Sequence, residues 1–149
     1  MHSINIVPTS ILLVEDNLDD VEMTKRALSQ GRIRNPVYVV RDGEEALQFL
    51  RYQGPYEGTS HPRPGIILLD INLPKLDGHD VLRAIKNDAE LKDIPVLMLT
   101  VSQRDEDIIK SYQYGTSVYI QKPVDFRNLI DIITGLEDFG LYITESTHD

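Results

Sequence analysis

Residues 66–69 (IILL) are four bulky apolar residues in a row, and the carboxylate of Asp70 follows them directly. Such a run, without polar alternation, is typical of a strand that is buried on both faces, as in a parallel sheet. Pro74 and Gly78 interrupt the chain just beyond it. Because ligand sites in open α/β sheets lie at the carboxyl ends of the strands, the sequence predicts a functional edge at Asp70. By itself, an aspartate in this position could equally cap a turn.

The composition indicates a single domain without a targeting segment. The 149 residues are enough to bury an ordinary core, and 24 acidic against 15 basic residues give a formal charge of −9, which argues against non-specific nucleic-acid binding. The absence of cysteine excludes disulfides and thiolate metal sites. No apolar run approaches the roughly 20 residues that span a bilayer, and the amino terminus lacks the pattern of a secretory signal. We therefore expect one cytoplasmic domain over residues 1–149.

Strand and helix patterns alternate along the chain. Apolar runs predict five strands, at about residues 11–14, 37–40, 65–70, 95–100 and 117–121. Periodicity and capping signals predict five helices, at about residues 17–31, 42–52, 79–88, 102–114 and 125–136. This alternation implies right-handed crossovers and a parallel sheet with helices on both faces. The predicted fold is a doubly wound, three-layer α/β sheet with strand order 2-1-3-4-5.

Local signals support some of these boundaries. Asn17 can cap the first helix, whose inward face would carry residues 21, 24, 27 and 28. Asp42 with Glu45 resembles a capping box at the start of the second helix. Residues 54–64 are rich in glycine and proline, so a long surface loop is expected before the central strand. The isolated histidines show no metal-ligand spacing and receive no role.

The predicted strands end in residues that could serve one phosphate chemistry, namely Glu15 and Asp16, Asp70, Thr100 and Lys122. Strands one and three are neighbours in the predicted order, so the three carboxylates should converge. Carboxylates this close repel unless a cation lies among them, and oxygen ligands suit Mg²⁺. Asp70 could then act as a nucleophile, Lys122 could neutralise phosphoryl oxygens and Thr100 could donate a hydrogen bond. Each residue alone could be a cap, a strand end or a solvated lysine, so the hypothesis depends on the set.

Several segments together resemble the receiver domains of two-component response regulators, which have a flavodoxin/CheY-like fold. The matching segments are residues 13–17 (LVEDN), 68–74 (LLDINLP), 77–78 (DG), 99–100 (LT) and 119–123 (YIQKP). They follow the family's order and spacing over a core of about residues 10–136, which leaves 137–149 as a carboxy-terminal extension. The resemblance implies a stand-alone signalling protein, not an enzyme, that accepts a phosphoryl group on Asp70 from a sensor histidine kinase.

The resemblance also implies a metal site. Asp16 and Asp70 would bind Mg²⁺, for which Mn²⁺ could substitute, together with the backbone carbonyl of Asn72. Glu15 stands where many members have aspartate, and its longer side chain would still help through a metal-bound water molecule.

The same resemblance implies how the phosphoryl group is held and sensed. Lys122 would pair with it, Thr100 would hydrogen-bond it, and Tyr119 would turn inward as the switch. The Lys122–Pro123 peptide bond would be cis, as is usual in the family. Val101 departs from the family, which usually carries a small residue there. We expect its branched side chain to narrow access to the site and to slow attack by water and small phosphodonors.

The extension carries three bulky apolar residues, Phe139, Leu141 and Tyr142. They could pack back on the domain, or they could form a homodimer contact together with the face of the fourth helix, fifth strand and fifth helix. Since no further module is expected, the output would be a protein contact. The loop and the extension look similar to the stand-alone regulators paired with bacterial phytochrome kinases, which tend to dimerise.

Two other functions stay open at this stage. A small phosphohydrolase could use Asp70 as a covalent nucleophile, but haloacid-dehalogenase-type phosphatases place a second aspartate two residues on, where this chain has Asn72. A receiver-like dimeric binding module that is never phosphorylated would not require Asp70 together with Lys122. The absence of a glycine-rich phosphate loop after the first strand disfavours a P-loop or nucleotide-binding protein.

Overall fold

The computed structural model describes residues 10–31, 33–100, 118–122, 127, 129 and 131. Within these residues lie five strands, β1 (Ile11–Val14), β2 (Val37–Val40), β3 (Ile66–Asp70), β4 (Val96–Thr100) and β5 (Val118–Gln121). They pair in parallel in the order β2-β1-β3-β4-β5. The predicted sheet and its strand order are confirmed.

The described part of the chain contains three complete α-helices, α1 (Leu18–Gln30), α2 (Gly43–Arg51) and α3 (Gly78–Lys86). Residues 127, 129 and 131 are also helical and belong to the helix predicted over residues 125–136. The helix predicted over residues 102–114 lies outside the described residues. No helix in the described ranges is long and apolar enough to cross a membrane.

The core lies on both faces of the sheet. Every residue of β1, β3 and β4 is buried, and successive side chains along a strand point to opposite faces. Leu12 and Leu69 pack with residues of α2 and α3, whereas Leu13 and Leu68 pack with α1 and with Leu129 of the carboxy-terminal helix. Each such side chain contributes about 1.5–3 kcal/mol by its burial. The sheet is therefore the middle of three layers, as predicted.

Helix α1 begins immediately after β1, which places its first turn at the carboxyl edge of the sheet. The side chain of Asn17 accepts a hydrogen bond from the Asp20 amide at 3.0 Å and so caps the helix. The buried face consists of Val21, Thr24, Ala27 and Leu28. Both the cap and this face agree with the sequence prediction.

The start of α2 differs in one detail from a capping box. Asp42 Oδ1 accepts a hydrogen bond from the Glu45 amide at 2.7 Å, as predicted. Glu45 Oε1, however, accepts from the amide of Arg41 at 3.0 Å, one residue earlier than a reciprocal box requires. The other carboxylate oxygen of Glu45 accepts from the Tyr56 hydroxyl, so this side chain also ties the following loop to the helix.

The loop before β3 is held against α2 by a group of rings that we call the aromatic cluster, comprising Tyr38, Phe49, Tyr52, Tyr56 and His61. The His61 ring stacks on Phe49 with centroids 3.9 Å apart and on Tyr52 at 4.6 Å. Its Nε2 lies 2.8 Å from the Phe49 carbonyl oxygen and donates to it. The segment predicted as a long loop is thus fixed by stacking, and His61 has a structural role that the sequence did not reveal.

Candidate functional site

The strand register brings the predicted site residues to one edge of the sheet. Asp70, the last residue of β3, pairs with Leu99 of β4. Thr100, the last residue of β4, pairs with Gln121 of β5. Lys122 follows Gln121, and its backbone amide donates to the Thr100 carbonyl at 2.7 Å. Parallel strands end at the same edge, so side chains after β1, β3, β4 and β5 come together.

Lys122 lies at the centre of a group of charges that we call the lysine–carboxylate cluster, formed with Glu15, Asp20 and Asp70. Its Nζ is 2.8 Å from Glu15 Oε1, 3.0 Å from Asp20 Oδ2 and 3.2 Å from Asp70 Oδ1. Glu15 and Asp70 are buried and Lys122 is nearly so. The structure therefore brings three predicted site residues into direct contact, and it adds Asp20.

The sequence analysis does not include Asp20 among the site residues, because an acidic residue in the first turn of a helix is ordinary by itself. Its contact with Lys122 joins residues 102 positions apart in the sequence. One signal was present: α1 starts at once after β1, so a carboxylate in its first turn must lie at the carboxyl edge of the sheet.

The charges of the cluster shift its pKa values. Burial raises the pKa of Glu15 to about 7, a hydrogen bond with Asp70 and the charge of Asp70 add to this effect, and Lys122 opposes it. Burial lowers the pKa of Lys122, but its hydrogen bonds to Glu15 and Asp20 and the charge of Asp70 outweigh burial and hold this pKa above its usual range. Lys122 therefore stays charged at neutral pH.

The backbone around Asp70 is fixed by close contacts. Asp70 Oδ1 accepts a hydrogen bond from the Asn72 amide at 3.2 Å. The amide of Gly78 donates to the Ile71 carbonyl at 2.8 Å. A Cβ atom at residue 78 would lie 2.5 Å from the Asp70 carbonyl oxygen and 2.6 Å from Ile71 Cα. Only glycine allows α3 to begin this close to the end of β3.

A cavity of about 320 Å³ opens beside the cluster. Its lining consists of Glu15, Asp16, Asn17, Asp20, Asp70, Asn72 and Lys122. Most of these residues offer oxygen donors, and Asp16, which is exposed, adds a carboxylate that does not pair with Lys122 among the described contacts. An oxygen-rich, acidic pocket of this kind fits a hard divalent cation.

In this structure the carboxylates of the lysine–carboxylate cluster are arranged around Lys122. In the described residues no three acidic or histidine side chains are arranged as metal ligands. The ammonium group of Lys122 lies among the carboxylates of Glu15, Asp20 and Asp70. The oxygen donors are therefore present, and the single positive charge of Lys122 offsets part of their negative charge.

A second cavity, of about 420 Å³, lies between α2 and the loop after β3. Its lining consists of Glu44, Leu47, Gln48, Arg51, Gln53, Lys75 and Leu76. It lacks paired carboxylates, so it offers no comparable chemistry, although it is larger.

The remaining predicted residues are only partly described. Thr100 is fully buried at the end of β4. Tyr119 lies in β5 opposite Met98, but its side chain is outside the described set. Three further predictions fall outside the described residues: the access gate at Val101, the cis peptide bond at Pro123 and the contact through the three apolar residues of the extension.

The fold and this site define a class of protein that the comparisons identify. The family model of the response regulator receiver domain matches residues 11–134, and the chain belongs to this family. It is a response regulator of two-component signalling, a class of phosphorylation-dependent signalling proteins that are generally not enzymes, that bind a divalent cation and that act with a sensor kinase.

Particular relatives narrow the comparison. The response regulator Rcp1 of Synechocystis sp. is 42% identical over 134 residues, which cover 90% of each chain. The solved Mn²⁺-bound form of Rcp1 is similar to this structure with a TM-score of 0.73 at 40% identity, covering 94% of this chain and 99% of that chain. The bacteriophytochrome response regulator AtBRR gives a TM-score of 0.81 at 38% identity, covering 95% of this chain and 99% of that chain. The phosphorylated cyanobacterial phytochrome response regulator RcpA gives 0.71 at 43%, covering 89% and 94%.

Proposed function

We propose that this chain is a stand-alone receiver in which Asp70 accepts a phosphoryl group from a phosphohistidine of its sensor kinase. The observation that supports this role is the position of Asp70: its carboxylate is buried at the end of β3, borders the 320 Å³ cavity, and lies 3.2 Å from the ammonium group of Lys122. A nucleophile, a fixed positive charge and room for an incoming group therefore occur together.

The transfer balances without any oxidant or reductant. A carboxylate oxygen of Asp70 forms an O–P bond while the P–N bond of the donor breaks, and the electron pair of that bond returns to the imidazole nitrogen. Lys122 neutralises charge on the phosphoryl oxygens, and Thr100, at the end of the neighbouring strand, donates a hydrogen bond to one of them.

The cation would be held by oxygen ligands at the same edge. Asp16 and Asp70 supply carboxylates, Asn72 supplies its backbone carbonyl, and Glu15 acts through a water molecule. Mg²⁺ suits this hard donor set, and the existence of an Mn²⁺-bound form of Rcp1 supports Mn²⁺ as a substitute. When bound, such an ion neutralises negative charge on the carboxylates and the phosphoryl oxygens.

The response would spread from the site through β4 and β5. Phosphorylation adds about 1.5–2 negative charges and three acceptor oxygens. Thr100 then moves toward these oxygens, and Tyr119 fills the space that it leaves, with a cis Lys122–Pro123 bond holding the end of β5. Val101 narrows access to the phosphoryl group. This sequence is a shift between two packings of the same chain.

The relatives suggest a partner and an assembly. The names of AtBRR and RcpA connect those proteins with phytochromes, which supports a bacterial phytochrome as the sensor kinase of this chain. Residues 1–149 would act as one cytoplasmic domain that forms a homodimer through Phe139, Leu141 and Tyr142 and the face of the fourth helix, β5 and the last helix. Sedimentation with and without phosphorylation tests this assembly, and a monomer under both conditions would contradict it.

Intact-mass spectrometry after incubation with Mg²⁺ and a small acyl phosphate tests the acceptor. We expect one phosphoryl group on the wild type and on Asp80→Asn, a matched change of an aspartate on α3. We expect none on Asp70→Asn and none without Mg²⁺. Phosphorylation of Asp70→Asn to the wild-type level would place the acceptor elsewhere. Phosphate release at an enzymatic rate, much faster than the slow self-dephosphorylation expected of a receiver, would instead indicate a phosphohydrolase.

A further inference from the structure

The ammonium group of Lys122 is already surrounded by carboxylates. Its Nζ donates hydrogen bonds to Glu15 and Asp20 at 2.8 and 3.0 Å and forms an ion pair with Asp70 at 3.2 Å. Under the proposed function Lys122 must also bind an oxygen of the phosphoryl group. Glu15 and Asp20 therefore compete with the phosphoryl oxygens for this one cation when Asp70 is phosphorylated.

The three carboxylates differ in how easily they can lose the lysine. The side chains of Glu15 and Asp70 are 1% and 5% exposed, whereas that of Asp20 is 33% exposed. A buried carboxylate that loses its cation has no water to replace the contact, and the cost is several times that of breaking an exposed pair. Asp70 stays close to Lys122 because the phosphoryl group that Lys122 binds is attached to the Asp70 side chain. The contact that breaks at the lowest cost is that of Asp20.

We propose that Asp20 is a displaceable counter-ion: it holds Lys122 in the resting protein and is exchanged for a phosphoryl oxygen when Asp70 is phosphorylated. This inference rests on the proposed function of Asp70. Asp20 is a positioning residue, since it acts on the phosphoryl group only through Lys122.

The position of Asp20 provides a place for its carboxylate after the exchange. Asp20 is the third residue of α1, and its amide is bound by the cap residue Asn17. A carboxylate in the first turn is favoured by the partial positive charge at the amino end of a helix. Once released by Lys122, Asp20 is stabilised by this helix end and by water.

The exchange predicts that Asp20 opposes phosphorylation. Because the Asp20–Lys122 contact has to be broken, it favours the resting state by the free energy of a partly exposed ion pair. Replacement of Asp20 by the isosteric, neutral asparagine removes that opposition. We expect the phosphoryl analogue BeF₃⁻ to bind about two- to fivefold more tightly to Asp20→Asn than to the wild type, the range expected for a partly exposed ion pair.

Asp19→Asn is the matched control, because Asp19 is an exposed carboxylate in the same turn of α1 with the same charge. In NMR titrations of the Mg²⁺-loaded proteins with BeF₃⁻, tighter binding by Asp20→Asn than by Asp19→Asn supports the exchange. Equal affinities of the two variants, or weaker binding by Asp20→Asn, overturn it while leaving the proposed function intact. Failure of the wild type to bind BeF₃⁻ contradicts the proposed function and the exchange together.

A second measurement uses the metal-free protein without any phosphoryl analogue. Urea unfolding of Asp20→Asn, Lys122→Met and the double variant should be non-additive, because the first change removes the partner of the second. The same cycle with Asp19→Asn should be additive. Additive behaviour for Asp20 would show that the resting contact does not exist and would overturn the proposal. The comparison of Asp20→Asn with Asp19→Asn does not depend on the folding of Lys122→Met.

Discussion

The two ends of β3 are held by different kinds of contact. The loop before the strand is fixed by the aromatic cluster, in which rings stack and form hydrogen bonds. The residue that ends the strand, Asp70, lies in the lysine–carboxylate cluster, where one cation is shared by three anions. Stacked rings lose their interaction if they separate. Charges can exchange partners, so we expect an added phosphoryl group to reorganise the second region and to leave the first unchanged.

Removing the shared cation should have the largest effect. We expect Lys122→Met to lower the free energy of unfolding by about 3–5 kcal/mol, since Glu15 and Asp70 are then buried together without a counter-ion. Mg²⁺ should restore part of this loss by taking over the role of the cation. Urea unfolding with and without MgCl₂ measures both quantities. Lys92→Met, at an exposed lysine, is the control and should change stability by no more than about 0.5 kcal/mol.

Crowding the backbone of the acceptor should have the next largest effect. Gly78→Ala places a methyl group against the Asp70 carbonyl and Ile71 Cα, both backbone atoms that cannot turn aside. We expect a loss of about 2–3 kcal/mol together with slower phosphorylation. Gly58→Ala serves as the control: its Cβ would meet nothing within 4 Å, and only its φ of +77° is unfavourable, at about 1 kcal/mol. Equal losses for the two variants would contradict the close contact.

The stability that the aromatic cluster provides should not depend on the salt concentration. His61→Ala removes two ring stacks and the hydrogen bonds with the Phe49 carbonyl and the Thr59 hydroxyl, and we expect a loss of about 2 kcal/mol. Because stacking and hydrogen bonds, not an ion pair, carry this energy, the loss should be the same at low and high salt, and phosphorylation of Asp70 should be unchanged. His79→Ala, at the start of α3, should cost about 0.5 kcal/mol or less. A strong salt dependence for His61→Ala would remove the contrast between the two regions.

The smallest effect concerns Lys75, which lies in the loop between β3 and α3. Its φ of 65° is unfavourable for a residue with a side chain, and its Nζ lies 3.7 Å from Asp42 Oδ2 on an exposed surface. We expect Lys75→Gly to stabilise the protein by about 0.5 kcal/mol, because relief of strain exceeds the loss of a weak ion pair. Lys75→Ala keeps the strain and loses the pair, so it should be slightly destabilising. Thermal unfolding of the two variants decides between them.

Many residues at the carboxyl edge of the sheet could be predicted from the sequence because they lie at the ends of strands or directly after them. Apolar runs locate the strands, parallel pairing aligns their ends, and Glu15, Asp70 and Lys122 are the residues that follow. The capping role of Asn17 was equally local. The functional roles assigned to these residues stay predictions until they are tested chemically.

The contacts that could not be predicted join residues that only the tertiary structure brings together. Asp20 and Lys122 are neighbours only because α1 and β5 both border the same edge, although nothing in either local pattern indicates the pair. Two rings of the aromatic cluster, Tyr56 and His61, come from a segment whose glycines and prolines give no periodicity, so they could not be assigned to the face of Tyr38 and Phe49. Glu45 likewise satisfied the spacing of a capping box, but the arrival of Tyr56 from the loop engages its second oxygen.

The contact between Gly78 and the end of β3 has a consequence for protein engineering. Anyone who grafts this acidic edge onto another parallel sheet has to transplant more than the acids and the lysine. The carbonyl of Asp70 occupies the space in which every other amino acid at residue 78 would carry its Cβ. A scaffold whose next helix starts with alanine would therefore push the equivalent aspartate out of register with its cation, however well the charged side chains were copied.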